Sequence, residues 1–199
     1  MKEYYYDKLF NIHTNGKGVF NSNSHYHPYE PTPYQALELL FEQYEVRTTD
    51  QFVDFGCGLG RLNFFIHYHF HASVMGIEMS EIFYRKALQN RDHYAKKMKH
   101  PSQKIEFECS RAEDYNIKPG DNRFYFFNPF SVHIFQHIVN RVLQSVEDFP
   151  REVDILLYYP SDDYIFYLEN QTMFQLVQEV DLPYEKNPNE RFLIYRLKY

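Results

Sequence analysis

The sequence predicts an α/β protein built on a mainly parallel sheet. From about residue 34 onwards, short apolar runs alternate with longer segments of helical periodicity, which is the pattern of strands joined by crossover helices. The last two apolar runs follow one another with no helical segment between them, so we expect an antiparallel hairpin there. These observations predict a three-layer α/β/α sandwich around a seven-strand mixed sheet, with five parallel strands and a C-terminal antiparallel hairpin.

The individual elements follow from the same patterns. A helix is expected to begin at Tyr34, because Pro33 is well tolerated at a helix start and the apolar residues at 37, 40, 41 and 44 share one face. Residues 1–33 show no sustained period, so they are expected to form an N-terminal cap or lid on a single domain of residues 34–199. Strands are expected at residues 52–55, 74–78, 104–108, 123–127, 153–158, 174–180 and 191–198. Further helices are expected at residues 60–71, 80–98, 131–147 and 161–170.

Composition limits the classes of function. The 199-residue chain carries a formal net charge of −6, which argues against a broad phosphate-binding surface. No apolar stretch approaches the roughly 20 residues that span a bilayer, and the amino terminus lacks the pattern of a secretory signal, so we expect a cytoplasmic protein. Cys57 and Cys109 are expected to be reduced thiols. His67, His69 and His71 resemble a metal motif, but only the first and last share a helix face and no carboxylate completes a site, so no metal is expected.

A glycine-rich turn lies where the first predicted strand ends and a helix begins. The turn contains Gly56, Cys57, Gly58 and Gly60. Such a turn lets a ligand approach the backbone closely, and the helix amino terminus offers unpaired N–H groups to it. A dinucleotide fingerprint has the spacing GxGxxG, but Arg61 stands at the position of its third glycine. An NAD-dependent oxidoreductase is therefore the disfavoured alternative.

With Asp54 two residues before its first glycine, the turn resembles the first motif of the class I S-adenosylmethionine (SAM)-dependent methyltransferases, which have a Rossmann-like fold. The resemblance extends over roughly residues 29–199 and implies SAM as the cofactor. SAM carries an ammonium and a sulfonium group but no pyrophosphate, so Asp54 can attract its positive charge. Glu78 ends the second predicted strand 24 residues later, where its carboxylate can accept hydrogen bonds from both ribose hydroxyls. Met79 can then cover one face of the adenine.

Two further segments are matched to the same family. After the third predicted strand, family members place an acidic residue before a small one to contact adenine, whereas Arg111 occupies that position here. The resemblance therefore assigns the adenine contact to backbone groups around Ala112 or to the carboxylate of Glu113, with a plain surface acid as the alternative. Tyr29 and Thr32 lie in a segment that resembles the one closing over the methionine end of the cofactor in several methyltransferases. A simple helix-entry turn is the competing interpretation.

The acceptor side is expected at the end of the fourth predicted strand, where Asn128, Pro129 and Phe130 resemble the [D/N]-P-P-[F/Y/W] motif of amino-group methyltransferases with one proline missing. In that family the Asn side chain and the following carbonyl accept hydrogen bonds from the target NH2, and the aromatic ring stacks on a planar substrate. Asn128 is also a candidate cofactor contact. The alternative is a strand-ending turn. His133, with His137 one helical turn later, is the candidate that takes up the released proton, against the alternative of a surface histidine.

These motifs predict a methyltransferase that moves a methyl group from SAM to an unidentified acceptor, with an amino nitrogen as the candidate target. The acidic net charge favours a small molecule or a protein side chain over nucleic acid. The alternatives are an oxygen or carbon methyltransferase of small metabolites that uses the same cofactor half, and a catalytically silent SAM-binding module that acts through a partner.

Overall fold

Seven strands form one mixed sheet in the computed structural model, which describes residues 2–15, 29–99 and 104–198. The strands are β1 (Gln51–Phe55), β2 (Ser73–Ile77), β3 (Ile105–Glu108), β4 (Arg123–Phe126), β5 (Val153–Tyr158), β6 (Gln175–Asp181) and β7 (Arg191–Leu197). Their order across the sheet is β3-β2-β1-β4-β5-β7-β6. The first five strands pair in parallel, and β7 pairs antiparallel with both β5 and β6. The predicted sheet is thereby confirmed, with strand ends shifted by at most one residue.

Six helices connect or flank the strands in the described part of the chain. They are α1 (Lys2–Phe10), α2 (Tyr34–Gln43), α3 (Arg61–Phe70), α4 (Glu81–Met98), α5 (Val132–Asp148) and α6 (Asp162–Gln171). Local sequence sets several of their ends: the Ser80 and Ser161 side chains accept N-cap hydrogen bonds, and His71 and Lys99 end their helices in the left-handed conformation. Within the described residues, no helix has the length and apolar character needed to cross a membrane.

The sheet is covered by apolar side chains on both faces. Alternate residues of β4 point to opposite sides: Tyr125 joins the core that contains α1 to α4, while Phe124 and Phe126 join the core that contains α5 and α6. Strands buried on both faces have almost continuous apolar sequences, which explains why they were recognisable from the sequence. The result is the expected three-layer sandwich.

Helix α1 was not expected. Its Tyr6 ring stacks on Tyr34 with ring centroids 4.7 Å apart, and the fully buried Phe10 packs against Tyr68 and Tyr94. Within the segment that we expect to form a cap, residues 2–10 therefore form a helix packed on the main core. The helix is short and carries several tyrosines, so the buried pair Tyr6 and Phe10, one turn apart, did not stand out as a period. Residues 16–28 of the expected cap lie outside the described residues, and the division at residue 33 stays a prediction.

We expect the Phe10→Ala substitution to lower the free energy of unfolding by about 3–5 kcal/mol, because it leaves a cavity in the main core. Tyr4→Ala on the exposed side of the same helix should change it by less than about 0.5 kcal/mol. Urea unfolding of both variants tests this expectation. Equal stabilities would mean that α1 is an accessory cap and not part of the cooperative core.

Candidate cofactor and active site

The glycine-rich turn lies at the point where the strand order reverses. Strand β1 sits between β2 and β4, and its connection to β2 runs through α3 on one face, whereas β4 leads into α5 on the other face. The two connections diverge and leave a crevice at the carboxyl ends of β1 and β4, which is where open α/β sheets bind ligands.

The turn has a conformation that favours glycine at three positions. Gly56, Gly58 and Gly60 have φ angles of +83°, +55° and +84°. The backbone N–H groups of Gly56 and Cys57 both donate to the carbonyl of Ile77, at 2.9 and 3.0 Å, and tie the turn to the end of β2. A Cβ atom added to Gly58 would lie 2.0 Å from the ring of Tyr29. The turn is thus a tight backbone surface with no space for a side chain at Gly58.

Glu78 follows β2 and faces the same turn. Its Oε2 accepts a hydrogen bond from Gly58 N at 2.9 Å, and its Oε1 accepts one from Ser80 N at 2.7 Å. Burial raises the pKa of this carboxyl, and the backbone hydrogen bonds oppose that rise. These bonds orient the carboxylate beside the glycine turn. Met79, the next residue, is 38% exposed, as a residue that covers a ligand would be.

Asp54 is buried beneath the turn at the end of β1. The Asn63 side chain spans from it to β2: Nδ2 donates to Asp54 Oδ2 at 3.0 Å, and Oδ1 accepts from Gly76 N at 3.2 Å. Burial, and then the charge of Glu78, raise the pKa of Asp54 to about 8. Among the described residues, no Lys, Arg or His forms an ion pair with either carboxyl. Two buried carboxyls without a protein cation fit a ligand that brings positive charge and hydrogen-bond donors, as SAM does.

The motif after β4 lies directly against the first glycine. A Cβ atom added to Gly56 would lie 2.9 Å from Cβ of Pro129. Asn128 and Pro129 are partly exposed, and Asn128 has the left-handed φ angle of +40°. A left-handed non-glycine residue at a ligand-binding edge is the kind of strained position that is often functional. The structure therefore brings together the two motifs that the sequence had placed 72 residues apart, at Gly56 and Asn128.

Phe130 does not face the crevice. It is 2% exposed, its ring packs edge-on against Phe126 with centroids 6.0 Å apart, and its carbonyl accepts a hydrogen bond from the Tyr164 hydroxyl at 2.5 Å. This burial argues against the predicted stacking on a planar acceptor, because the ring belongs to the core between the sheet and α6.

His133 and His137 are exposed on α5, which fits the alternative of surface histidines. A role of His133 in proton uptake stays a prediction.

The two candidate adenine contacts after β3 have different surroundings in the structure. Ala112 is buried in a short 3-10 helix, Ala112–Asp114, so its backbone remains a candidate. The Glu113 carboxylate forms an ion pair with Arg111 at 2.5 Å, and its carbonyl accepts from Arg141 Nη1 at 2.5 Å. The acid is therefore engaged by the arginine that replaces the expected acidic residue, which weakens its candidacy as an adenine contact.

The segment before α2 reaches the glycine turn, as its resemblance implied. The Tyr29 ring lies over Gly58 and against Phe83, with ring centroids 5.1 Å apart. The hydroxyls of the buried Thr32 and of Tyr125 on β4 are hydrogen-bonded at 2.7 Å. Whether Tyr29 and Thr32 contact the cofactor stays a prediction.

Three residues near the turn were missed as site components: Arg61, Asn63 and Tyr125. Each is a buried polar side chain that connects the glycine turn or β4 to a neighbouring segment. The signal for Asn63 was a polar residue on the core-facing side of a helix directly after the turn. In the described part of the chain, no three His, Cys, Asp or Glu side chains are grouped as a metal site.

The raised pKa of Asp54 predicts a pH-dependent stability. The folded protein holds a proton that the unfolded chain releases near pH 4, so the free energy of unfolding should fall as the pH rises through about 4 to 8. Asp54→Asn removes this titration, so its stability relative to the parent protein should increase from pH 5 to about pH 8 and level off above it. Thermal unfolding across this range is the measurement, with Asp181→Asn at an exposed carboxyl as control. Parallel curves for all three proteins would mean that Asp54 is ionised throughout.

Comparisons with known proteins agree with this geometry. A family model described as histone methylation protein DOT1 matches residues 19–116, just under half of the chain. No curated protein matches significantly. Similar solved structures include an RNA methyltransferase from Salinibacter ruber in complex with S-adenosyl-L-homocysteine, with 19% identity, a TM-score of 0.55, and coverage of 84% of this chain and 92% of that one.

Two further structures have the same fold. A putative methyltransferase, yhhF, from Escherichia coli is 18% identical with a TM-score of 0.59, covering 86% of this chain and 90% of that one. The Pyrococcus abyssi tRNA (uracil-54, C5)-methyltransferase, also in complex with S-adenosyl-L-homocysteine, is 16% identical with a TM-score of 0.53, covering 82% of this chain and 38% of that one. Together with the strand order, these matches show that the chain has the Rossmann-like fold of the class I SAM-dependent methyltransferases.

Proposed function

We propose that the enzyme methylates a nitrogen atom, held at Asn128, of a neutral or positively charged acceptor such as a small molecule or a protein side chain. The observation that carries the proposal is the contact between the two motifs: Pro129 packs on Gly56, so the candidate acceptor-binding residue adjoins the candidate cofactor-binding turn. An acceptor at Asn128 would then lie beside the cofactor that the turn holds.

The residues around the turn divide the binding of the cofactor among them. Asp54 would face positive charge, Glu78 would accept hydrogen bonds from the ribose, and the glycine backbone would allow close approach. When bound, SAM supplies a methyl group activated by the sulfonium charge. Because Glu78 is already oriented by Gly58 N and Ser80 N, little reorganisation is needed to present its carboxylate.

The role proposed for Asn128 is orientation of the acceptor. A side-chain amide oxygen accepts a hydrogen bond from an N–H group, which aims the nitrogen lone pair, whereas the same atom offers nothing to a carbon nucleophile. Alignment of this kind can supply much of the rate enhancement in a transfer reaction that needs no strong base. The left-handed position of Asn128 at the carboxyl end of β4, beside the glycine turn, supports this role.

The charge of the surroundings favours an acceptor without phosphates. Beside Asn128, the Phe127 ring contacts Tyr158 at a centroid distance of 4.5 Å, and the Tyr158 hydroxyl donates to Glu190 at 3.3 Å. Partial burial raises the pKa of Glu190, and the charges of Glu185 and Glu30 add to the rise. Acidic side chains therefore converge on this end of the sheet. They would repel a polyanion and attract an amine.

RNA is the competing acceptor, because most of the similar structures are named as RNA, rRNA or tRNA methyltransferases. Their similarity to this chain is below 20% in sequence and concerns the fold, and one fold supports many acceptors. The net charge of −6 adds to the local acidity in disfavouring RNA. The acceptor experiment below therefore includes an RNA arm.

We expect Glu78→Ala to weaken SAM binding by about 1.5–3 kcal/mol, or roughly 10- to 150-fold in Kd, because hydrogen bonds to a charged group are lost. Gly58→Val should be at least as damaging, since its side chain would collide with Tyr29. Titration calorimetry with S-adenosylhomocysteine measures both, and Glu106→Ala at an exposed acid of β3 is the control. Unchanged affinity in the first two variants would remove the turn from the cofactor site.

We expect Asn128→Ala to leave SAM affinity within about twofold while slowing methyl transfer at least tenfold, because each 1.4 kcal/mol lost from the transition state costs about a factor of ten. Transfer of radiolabelled methyl groups would be measured to a basic peptide, to a set of small amines and to an RNA oligonucleotide. Asn170→Ala, at an exposed site on α6, is the matched control.

Two outcomes would count against the proposed function. Full turnover of Asn128→Ala on the preferred acceptor would reduce the Asn-Pro-Phe segment to a strand-ending turn. Transfer to RNA with none to either class of amine would replace the proposed acceptor by nucleic acid.

A further inference from the structure

Arg61 is the first residue of α3 and directly follows the glycine turn. Its side chain is only 4% exposed, so its charge must be balanced by protein groups. A cation is also poorly placed at a helix amino terminus, where the helix dipole is positive. Such a position costs energy unless the arginine makes compensating contacts.

All of its contacts given by the structure lie in the N-terminal part of the chain. Nε donates to Thr14 Oγ1 at 2.8 Å, Nη1 donates to the Thr32 carbonyl at 3.1 Å, and Nη2 donates to Asn15 Oδ1 at 2.8 Å. Nη1 also pairs with the carboxylate of Glu3, and the guanidinium lies 4.4 Å from the centroid of the Tyr34 ring. The fork of donors thus joins two separate stretches, residues 2–15 and residues 29–34, to the start of α3.

Thr14 connects this network to the glycine turn. Its hydroxyl accepts from Arg61 and donates to Asp7 Oδ1 at 2.7 Å, so both its hydrogen-bonding roles are used. Its carbonyl accepts from the Tyr29 hydroxyl at 2.9 Å. Tyr29 is in turn the ring that lies over Gly58. A continuous series of contacts therefore runs from Arg61 through Thr14 to Tyr29 and back to the turn.

We propose that Arg61 is a positioning residue for the cofactor site: it holds Thr14 and the Thr32 carbonyl so that Tyr29 forms a fixed wall over the glycine turn. The inference rests on the proposed use of this turn to bind SAM. Arg61 acts through Tyr29 and touches neither the cofactor nor the acceptor. Its loss should lower cofactor affinity, because Tyr29 would no longer be held over the glycine turn.

The first test compares substitutions at Arg61 and Thr14. Arg61→Gln, which lacks the charge and the fork, should raise the Kd for S-adenosylhomocysteine at least tenfold. Arg61→Lys keeps the charge but cannot bond Thr14, Asn15 and Thr32 together. The logarithm of its Kd should therefore lie closer to that of Arg61→Gln than to that of the parent protein. Thr14→Val should raise the Kd at least threefold, and in combination with Arg61→Gln it should add less than twofold, because both changes break one network.

The matched control is another buried arginine. Arg123 at the start of β4 is paired with Asp50 and Asp154 at the opposite end of the sheet. Arg123→Gln should lower the melting temperature and leave the Kd within twofold when binding is measured well below that temperature. An equal loss of affinity in this variant would mean that Arg61 acts only through general stability, which overturns the proposal.

Hydrogen exchange supplies a readout independent of activity. In the parent protein, S-adenosylhomocysteine should increase the protection of residues 29–34, and this increase should disappear in Arg61→Gln. If Arg61→Gln does not fold, Thr14→Val carries the same test at an outer position of the network. Affinities within twofold of the parent in the variants that fold would overturn the proposal. Absence of binding by the parent protein would instead refute the cofactor site itself.

Discussion

Three positions in the turn after β1 leave no room for a Cβ atom, and each is closed by a different part of the chain. An added Cβ would meet Pro129 at 2.9 Å from Gly56, Tyr29 at 2.0 Å from Gly58 and Phe107 at 2.6 Å from Gly60. The N-terminal segment, β3 and the loop after β4 therefore all pack directly on this backbone. The turn is thus the point where the proposed cofactor and acceptor sites adjoin.

The distribution of charge around the turn explains its ligand preference. The carboxyls of Asp54 and Glu78 are buried on the inner side, where burial raises the pKa of both. The nearby cation, Arg61, points away from them and is committed to Glu3 and the backbone of Thr32. Neither carboxyl is paired with this cation, so a cationic ligand would favour their ionised forms and replace the proton that burial holds on Asp54.

The acceptor is determined by features outside the shared fold. The strand order and the turn are common to enzymes with different acceptors, so the similarity to RNA methyltransferases is informative about architecture. The surroundings of Asn128 combine the Phe127 and Tyr158 rings with the acid Glu190. These residues come from the loop after β4, from β5 and from the loop before β7.

The sequence by itself determined the sheet, most helices and the glycine turn with Asp54 and Glu78, because strand burial, helical periodicity and tight turns are encoded over a few neighbouring residues. Tertiary structure decided what depends on contacts between distant segments. The burial of Phe130 is one example, since its carbonyl accepts a hydrogen bond from the Tyr164 hydroxyl, 34 residues away. The partners of Arg61 lie between 27 and 58 residues away in the sequence. No local pattern can specify such partners, since a buried guanidinium is satisfied by whichever acceptors the completed fold brings to it.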